Sequence, residues 1–248
     1  MGKTHEALER AEKEFRDNIL ETPNDYHNAI VVKRPGKVSK QTASDRFQEV
    51  KTKLDTCFPL GSVKTIVFTG TAHGVGCTTT AAGFANTMAQ YCRLNVILID
   101  ANIRSPRLHE VFNVGHNQGL DDLLTNQEEK ISLFRKMGHG NLYLIPCGNK
   151  ASVPQAIFES TRFARMLKLM REKFDYVILN APPVNSYTEA KVMGKKVDGV
   201  MLVIESGKTR KQVAMKAKQE LENAGAKVLG VILNRRKHYI PDWIYKRL

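Results

Sequence analysis

The chain has 248 residues, 42% of them hydrophobic, with 38 basic against 25 acidic side chains and a formal charge of +13. That length and apolar fraction suffice for one α/β core with peripheral helices, and no apolar run approaches the ~20 residues that a membrane-spanning helix needs. The charge excess either marks a solvated face or favours polyanionic partners such as nucleic acid, anionic lipid or acidic protein surfaces.

The N-terminus, MGKTHEALERAEKEF, is charged throughout and lacks the apolar core of a signal peptide. Gly2 fits a myristoylation signal, but Glu6 stands where that signal takes Ser or Thr. Residues 3–17 set Ala7, Leu8, Ala11 and Phe15 among Glu, Arg and Lys, the pattern of an amphipathic helix. Residues 18–40, with Pro23, Asn24, Asp25, Pro35 and Gly36, read as an irregular linker, so 1–40 form a helix-and-linker unit. A second helix is predicted at about 42–57, with Phe47, Val50 and Leu54 on one stripe.

From Thr65 the period changes. Short apolar runs appear at KTIVFTG, NVILIDA, NLYLIPCG, DYVILNAPP, DGVMLVIE and AKVLGVILN. Helix-patterned segments separate most of them, at about 77–92, 119–136, 155–173, 187–196 and 208–224. Runs apolar on both faces that alternate with helices predict a doubly wound, mostly parallel α/β sheet covered on both sides, over residues 41–234. A basic and aromatic tail, 235–248, follows. Right-handed crossovers place the first loop at the carboxyl edge of that sheet. Cys57, Cys77, Cys92 and Cys147 are scattered without C-x-x-C spacing, which argues against zinc sites and fits a reducing cytosol.

The segment Val67–Thr80, VFTGTAHGVGCTTT, has the strand, glycine-rich turn and helix start of a phosphate-binding loop. Its pattern closes on G-K-[ST], yet Cys77 stands in the lysine position and the opening glycine falls on Thr71. Gly74, Val75, Gly76, Thr78 and Thr79 remain, and backbone N–H groups at a helix N-terminus bind anions without lysine. Weak ATP, ADP or phosphate binding with magnesium therefore stays open, beside the plainer reading of a packed strand–turn–helix junction. A thiol at a helix start can act as a nucleophile, but a phosphatase loop needs C-x₅-R, and Gly83 occupies the arginine position. Cys77 reads better as a small buried hydrophobe.

Taken together, ILIDANIRSP, FDYVILNAPPV, GLDDLL, LIPCG, VDGVMLVIESGKT and LGVILN resemble, in order, the motifs of bacterial tyrosine kinases, with a Walker A′ stretch at Ile97–Pro106 and a Walker B stretch ending in NAPPV. The opening GKTHEALERAE is similar to that of stand-alone members of exopolysaccharide systems. The resemblance implies a P-loop NTPase-like fold and a cytoplasmic protein of capsule or exopolysaccharide synthesis, coupled to a membrane polysaccharide co-polymerase that sets chain length. Active members bind Mg-ATP, phosphorylate tyrosines in their own C-terminal tail and assemble as rings through a Glu-x-x-Arg-x-x-Arg helix. Carried onto this chain, the resemblance makes Thr78 and Asp100 magnesium ligands and places Asn234 against adenine. The second Walker A′ carboxylate has become Asn102, the Walker B carboxylate Asn180, and the additional lysine of the MinD and ParA group Ala72. The ring motif maps to Asp45, Gln48 and Lys51, and the tyrosine cluster to Tyr239 and Tyr245.

Of one lysine and three carboxylates expected at the site, only Asp100 remains. The reading that follows is a pseudokinase: a regulator or scaffold that binds a co-polymerase or an active homologue through its N-terminal helix and C-terminal tail, peripheral at the inner membrane, with homo-oligomer formation open. Its rival is a working kinase or ATPase in which Arg104, Arg107 or a partner's arginine replaces the lysine. A ParA-like DNA-binding protein, suggested by the charge of +13, ranks last, because the resemblance implies that DNA-binding relatives depend on a nucleotide-driven dimer whose lysines are absent here. Aromatic side chains are not interleaved with the basic ones either, so the signal for single-strand binding is weak.

Overall fold

Alternation decides how the central strands bury their side chains. The computed structural model describes residues 30–31, 43–115, 118–125, 134–138, 140–148 and 154–235. Within it β1 (Ile30–Val31) precedes helix α1 (Ala43–Cys57), β2 (Thr65–Gly70), α2 (Cys77–Gln90), β3 (Val96–Asp100) and the short helices α3 (Leu108–Val111) and α4 (Leu120–Thr125). Then come β4 (Arg135–Met137), β5 (Leu142–Ile145), α5 (Pro154–Glu159), α6 (Thr161–Lys173), β6 (Tyr176–Asn180), α7 (Glu189–Gly194), β7 (Gly199–Glu205), α8 (Lys211–Asn223) and β8 (Val228–Asn234). The eight strands form one sheet in the order β1-β8-β7-β2-β6-β3-β5-β4, parallel throughout except for the β4–β5 pair.

Every residue of β2, β3 and β6 is buried, as expected of parallel strands covered on both faces. Successive side chains point to opposite faces. Ile66 and Phe68 accordingly join one core cluster with Phe84, Met88, Leu98 and Ile178. Val67 joins the other with Ile97, Ile99, Phe163, Leu179 and Leu202. Helix α1 lies on the first cluster: Val50 and Leu54 are buried, and Phe47 packs edge-on to Phe84 with ring centroids 6.2 Å apart. The predicted stripe is thus the packed face, and Gly83 makes room for it, since a Cβ there would sit 2.6 Å from Phe47 Cε2.

At the opposite edge from the loop, Asp198 staples three elements. Its carboxylate accepts from the Lys64 and Thr65 amides and the Thr65 hydroxyl, and pairs with Arg171 of α6.

Three expectations are corrected. Residues 18–40 are not wholly irregular, because Ile30 and Val31 pair in parallel with Gly230 and Val231 of β8. The helix expected to run to 136 does not do so: helix is described over Leu120–Thr125, and Arg135–Met137 form an edge strand antiparallel to β5. The helix expected over 155–173 is two helices: Ser160, in extended conformation, caps α6 by accepting from Phe163 N at 3.1 Å. The opening amphipathic segment, Tyr239 and Tyr245 lie outside the described residues. Among the described residues no helix is long and apolar enough to cross a membrane.

Candidate functional site

The loop 71–76 leaves the carboxyl end of β2, between its neighbours β7 and β6, with β8 and β3 one strand further out on either side. In parallel sheets that edge is where ligands bind. Gly74 and Gly76 adopt left-handed backbone, with φ of 80° and 87°. Gly76 precedes α2 directly and its carbonyl accepts from Thr80 N at 2.9 Å and Thr80 Oγ1 at 2.8 Å. No acceptor among the described residues meets the amides of Gly74 through Thr79, which leaves a run of unpaired donors at a helix start.

Asn234, the position expected to face adenine, holds the loop in this structure. Its Nδ2 donates to Val75 O at 2.8 Å, and a Cβ on Gly76 would lie 2.1 Å from that nitrogen. Cys77 is the first residue of α2 and packs against the first core cluster. Burial, and secondarily the Asp100 carboxylate, push its thiol far above the usual range. Burial thus disfavours the thiolate, the reactive form. Ala72 is exposed.

Thr78, Asp100 and Asn180 do come together. Asn180 Nδ2 lies 3.0 Å from Asp100 Oδ1 and 3.3 Å from Thr78 Oγ1. The amide orientation follows from chemistry: turned over, its carbonyl oxygen would face a carboxylate oxygen. As it stands, Asn180 Oδ1 is buried without a donor, a penalty of about 1–3 kcal/mol that the two amide bonds offset. Asp100 Oδ1 also accepts from Asn102 N at 3.3 Å, while Oδ2 accepts from Arg107 N at 3.0 Å and Leu108 N at 2.9 Å. Burial raises its pKa, opposed by these hydrogen bonds from Leu108, Asn180, Asn102 and Arg107. Asn102 turns away to accept from Ser105 N at 3.2 Å through Oδ1.

Arg104, the candidate replacement cation, is held elsewhere. Its Nε is 2.7 Å from Glu189 Oε1, its guanidinium lies 5.1 Å from the Tyr187 ring centroid, and the Tyr187 hydroxyl is 3.4 Å from His73 Nε2 of the loop. Glu189 is fully buried and its Oε2 has no donor. Sequence reasoning missed His73, Tyr187 and Glu189; the one available signal was an acid heading the helix-patterned AKVMG segment. The three ring-motif residues lie on α1, where Lys51 pairs with Asp55 of the same helix.

The family of AAA domains matches residues 63–209. Tyrosine-protein kinase CpsD of Streptococcus pneumoniae serotype 4 is 30% identical over 180 residues, 70% of this chain and 76% of that protein. The chain belongs to the bacterial tyrosine-protein kinase family. Tyrosine-protein kinase YwqD of Bacillus subtilis is 29% identical over 210 residues, covering 85% and 86% of the two chains. Among solved structures, the chimerical protein CapA2B2 superposes with a TM-score of 0.75 at 29% identity, covering 80% of this chain and 87% of that one.

The tyrosine kinase fold implies magnesium and ATP. The row of amides around Gly74, where a Cβ would meet nothing within 4 Å, fits an anion. The residues do not fit a divalent cation. Both Asp100 oxygens already accept two N–H groups each, using the carboxylate's ~4 acceptor positions. The remaining approach, between Asp100 and Thr78, is taken by a hydrogen-bond donor.

Proposed function

We propose that this member of the tyrosine kinase family is a regulatory or scaffolding subunit of bacterial capsule or exopolysaccharide synthesis, not a working kinase. Phosphoryl transfer depends on positioned cations that absorb charge from the phosphates, and one lost preorganised stabiliser lowers rate by ~10²–10³. The observation that carries the reading is the missing countercharge. The side chain in the lysine position is a thiol packed on the core, and Arg104 is drawn off to the buried Glu189. Moving Arg104 to the loop would strand that carboxylate, which is strongly unfavourable. This weighs against the rival reading of a kinase with substituted chemistry.

The protein acts by contact, with a membrane polysaccharide co-polymerase or an active homologue as partner, at the cytoplasmic face of the inner membrane. Family membership and the ordered motif set support that setting. The test is incubation of purified protein with Mg-ATP, read with a phosphotyrosine antibody. No signal is expected. Phosphotyrosine that vanishes in Asp100→Ala overturns the proposal.

A further inference from the structure

The Thr78–Asn180–Asp100 contact does more than remove a ligand. In a metal-dependent phosphate loop a divalent cation joins the hydroxyl at the start of the helix to carboxylates on the neighbouring strands. Here one NH₂ group spans the same gap: it lies 3.0 Å from Asp100 Oδ1 on β3 and 3.3 Å from Thr78 Oγ1 on α2. Asn180 is 0% exposed, and its own carbonyl oxygen goes without a donor so that the nitrogen can face both acceptors. Three backbone amides, from Asn102, Arg107 and Leu108, fill the rest of Asp100. The carboxylate thereby folds the 101–108 segment instead of facing solvent.

We propose that the Asn180 side-chain amide is a built-in substitute for the divalent cation: it ties the phosphate loop's helix to β3 permanently and makes the site indifferent to metal. A neutral donor holds what a dication would hold, so the loop is preorganised in the absence of magnesium, and any phosphate reaching its amides is bound metal-free. The inference concerns the same site as the proposed function but rests on a different contact. Kinase inactivity follows from Cys77 and Arg104; metal indifference follows from Asn180.

The experiment uses the full chain without nucleotide. Thermal melting is compared in EDTA and in excess magnesium, and Mn²⁺ binding is followed by electron paramagnetic resonance, for the wild type and Asn180→Asp. The wild type is expected to melt at the same temperature in both buffers and to leave Mn²⁺ free. Asn180→Asp places a second carboxylate against Asp100. It should melt lower in EDTA, rise by about 5–10 °C at magnesium about 100-fold above its Kd, and sequester Mn²⁺. A wild type that binds Mn²⁺ or is stabilised by magnesium overturns the proposal, and so does an Asn180→Asp protein indifferent to metal.

Should Asn180→Asp not fold in either buffer, Asn180→Ala decides. Hydrogen exchange at Thr80, whose amide is held by Gly76 O, should quicken when the tie is cut, with magnesium having no effect; unchanged exchange rejects the tie. Phosphotyrosine from the wild type would remove the regulator reading and leave these outcomes untouched.

Discussion

Replacing Asp198 with alanine removes the acceptor on which the amino-terminal edge of the sheet converges. Asp198 Oδ2 takes the Lys64 and Thr65 amides at 2.8 Å each and the Thr65 hydroxyl at 2.9 Å, and Oδ1 pairs with Arg171. Thr65 is only 2% exposed, so water cannot replace the lost acceptor there, whereas Lys64 is half-buried and Arg171 is 42% exposed. A buried donor left unpaired costs about 1–3 kcal/mol, and the exposed ion pair adds at most about 1. With the Thr65 amide and hydroxyl as two such donors, the sum is about 2–7 kcal/mol, or a fall in melting temperature of roughly 4–28 °C.

Burial alone would raise the Asp198 pKa, but Arg171 and the Thr65 and Lys64 donors outweigh it and hold the carboxyl below the ordinary range. With the folded value below the unfolded one, the carboxylate's stabilisation is full above ~3.9 and fades as pH falls through the lowered value. Urea unfolding followed by circular dichroism, repeated from neutral to acid pH, measures both effects. Asp198→Ala should lose stability at neutral pH and lack the part of the acid slope that Asp198 contributes. A loss below about 1 kcal/mol, under what one unpaired buried donor should cost, or an acid slope equal to the wild type's, refutes the reasoning.

Gly76→Ala should destabilise by about 1–3 kcal/mol through its left-handed backbone, and more because its Cβ would meet Asn234 Nδ2 at 2.1 Å. Gly74→Ala, also left-handed but with nothing within 4 Å, should show the backbone part alone. Equal urea midpoints for the two variants would exclude the steric contribution of Asn234. Alkylation by iodoacetamide at about pH 8 should modify the exposed Cys57 first, because the thiolate is the reactive form. Cys77, and Cys147, whose thiol burial pushes up to about 12, should stay unmodified until denaturant is added, as read by peptide mass spectrometry.

The central strands were legible because their residues face core on both sides, which turns IVF, VILID and YVILN into uninterrupted apolar runs. The glycine-rich turn was legible because Gly74 and Gly76 occupy backbone that other residues adopt only under strain. Edge elements gave no such signal. Arg135–Met137 is only partly buried and carries two charges, and Ile30–Val31 is two residues inside a stretch rich in turn formers. At the site, the sequence told which charges were absent but not what the replacements do. That Asn180 would donate to both Thr78 and Asp100, or that Asn234 would grip Val75, depends on strand ends brought together from distant parts of the chain.

Among the described residues the outermost strands of the sheet, β1 with two residues and β4 with three, are its shortest. A brief rim offers few unsatisfied backbone groups to a passing chain, which is how β proteins discourage intermolecular pairing. Behind β1 stands the seven-residue β8, with the apolar sequence VLGVILN. Ile30 and Val31 pair with Gly230 and Val231 of that strand, so deleting them would open two more of its positions to pairing with another chain.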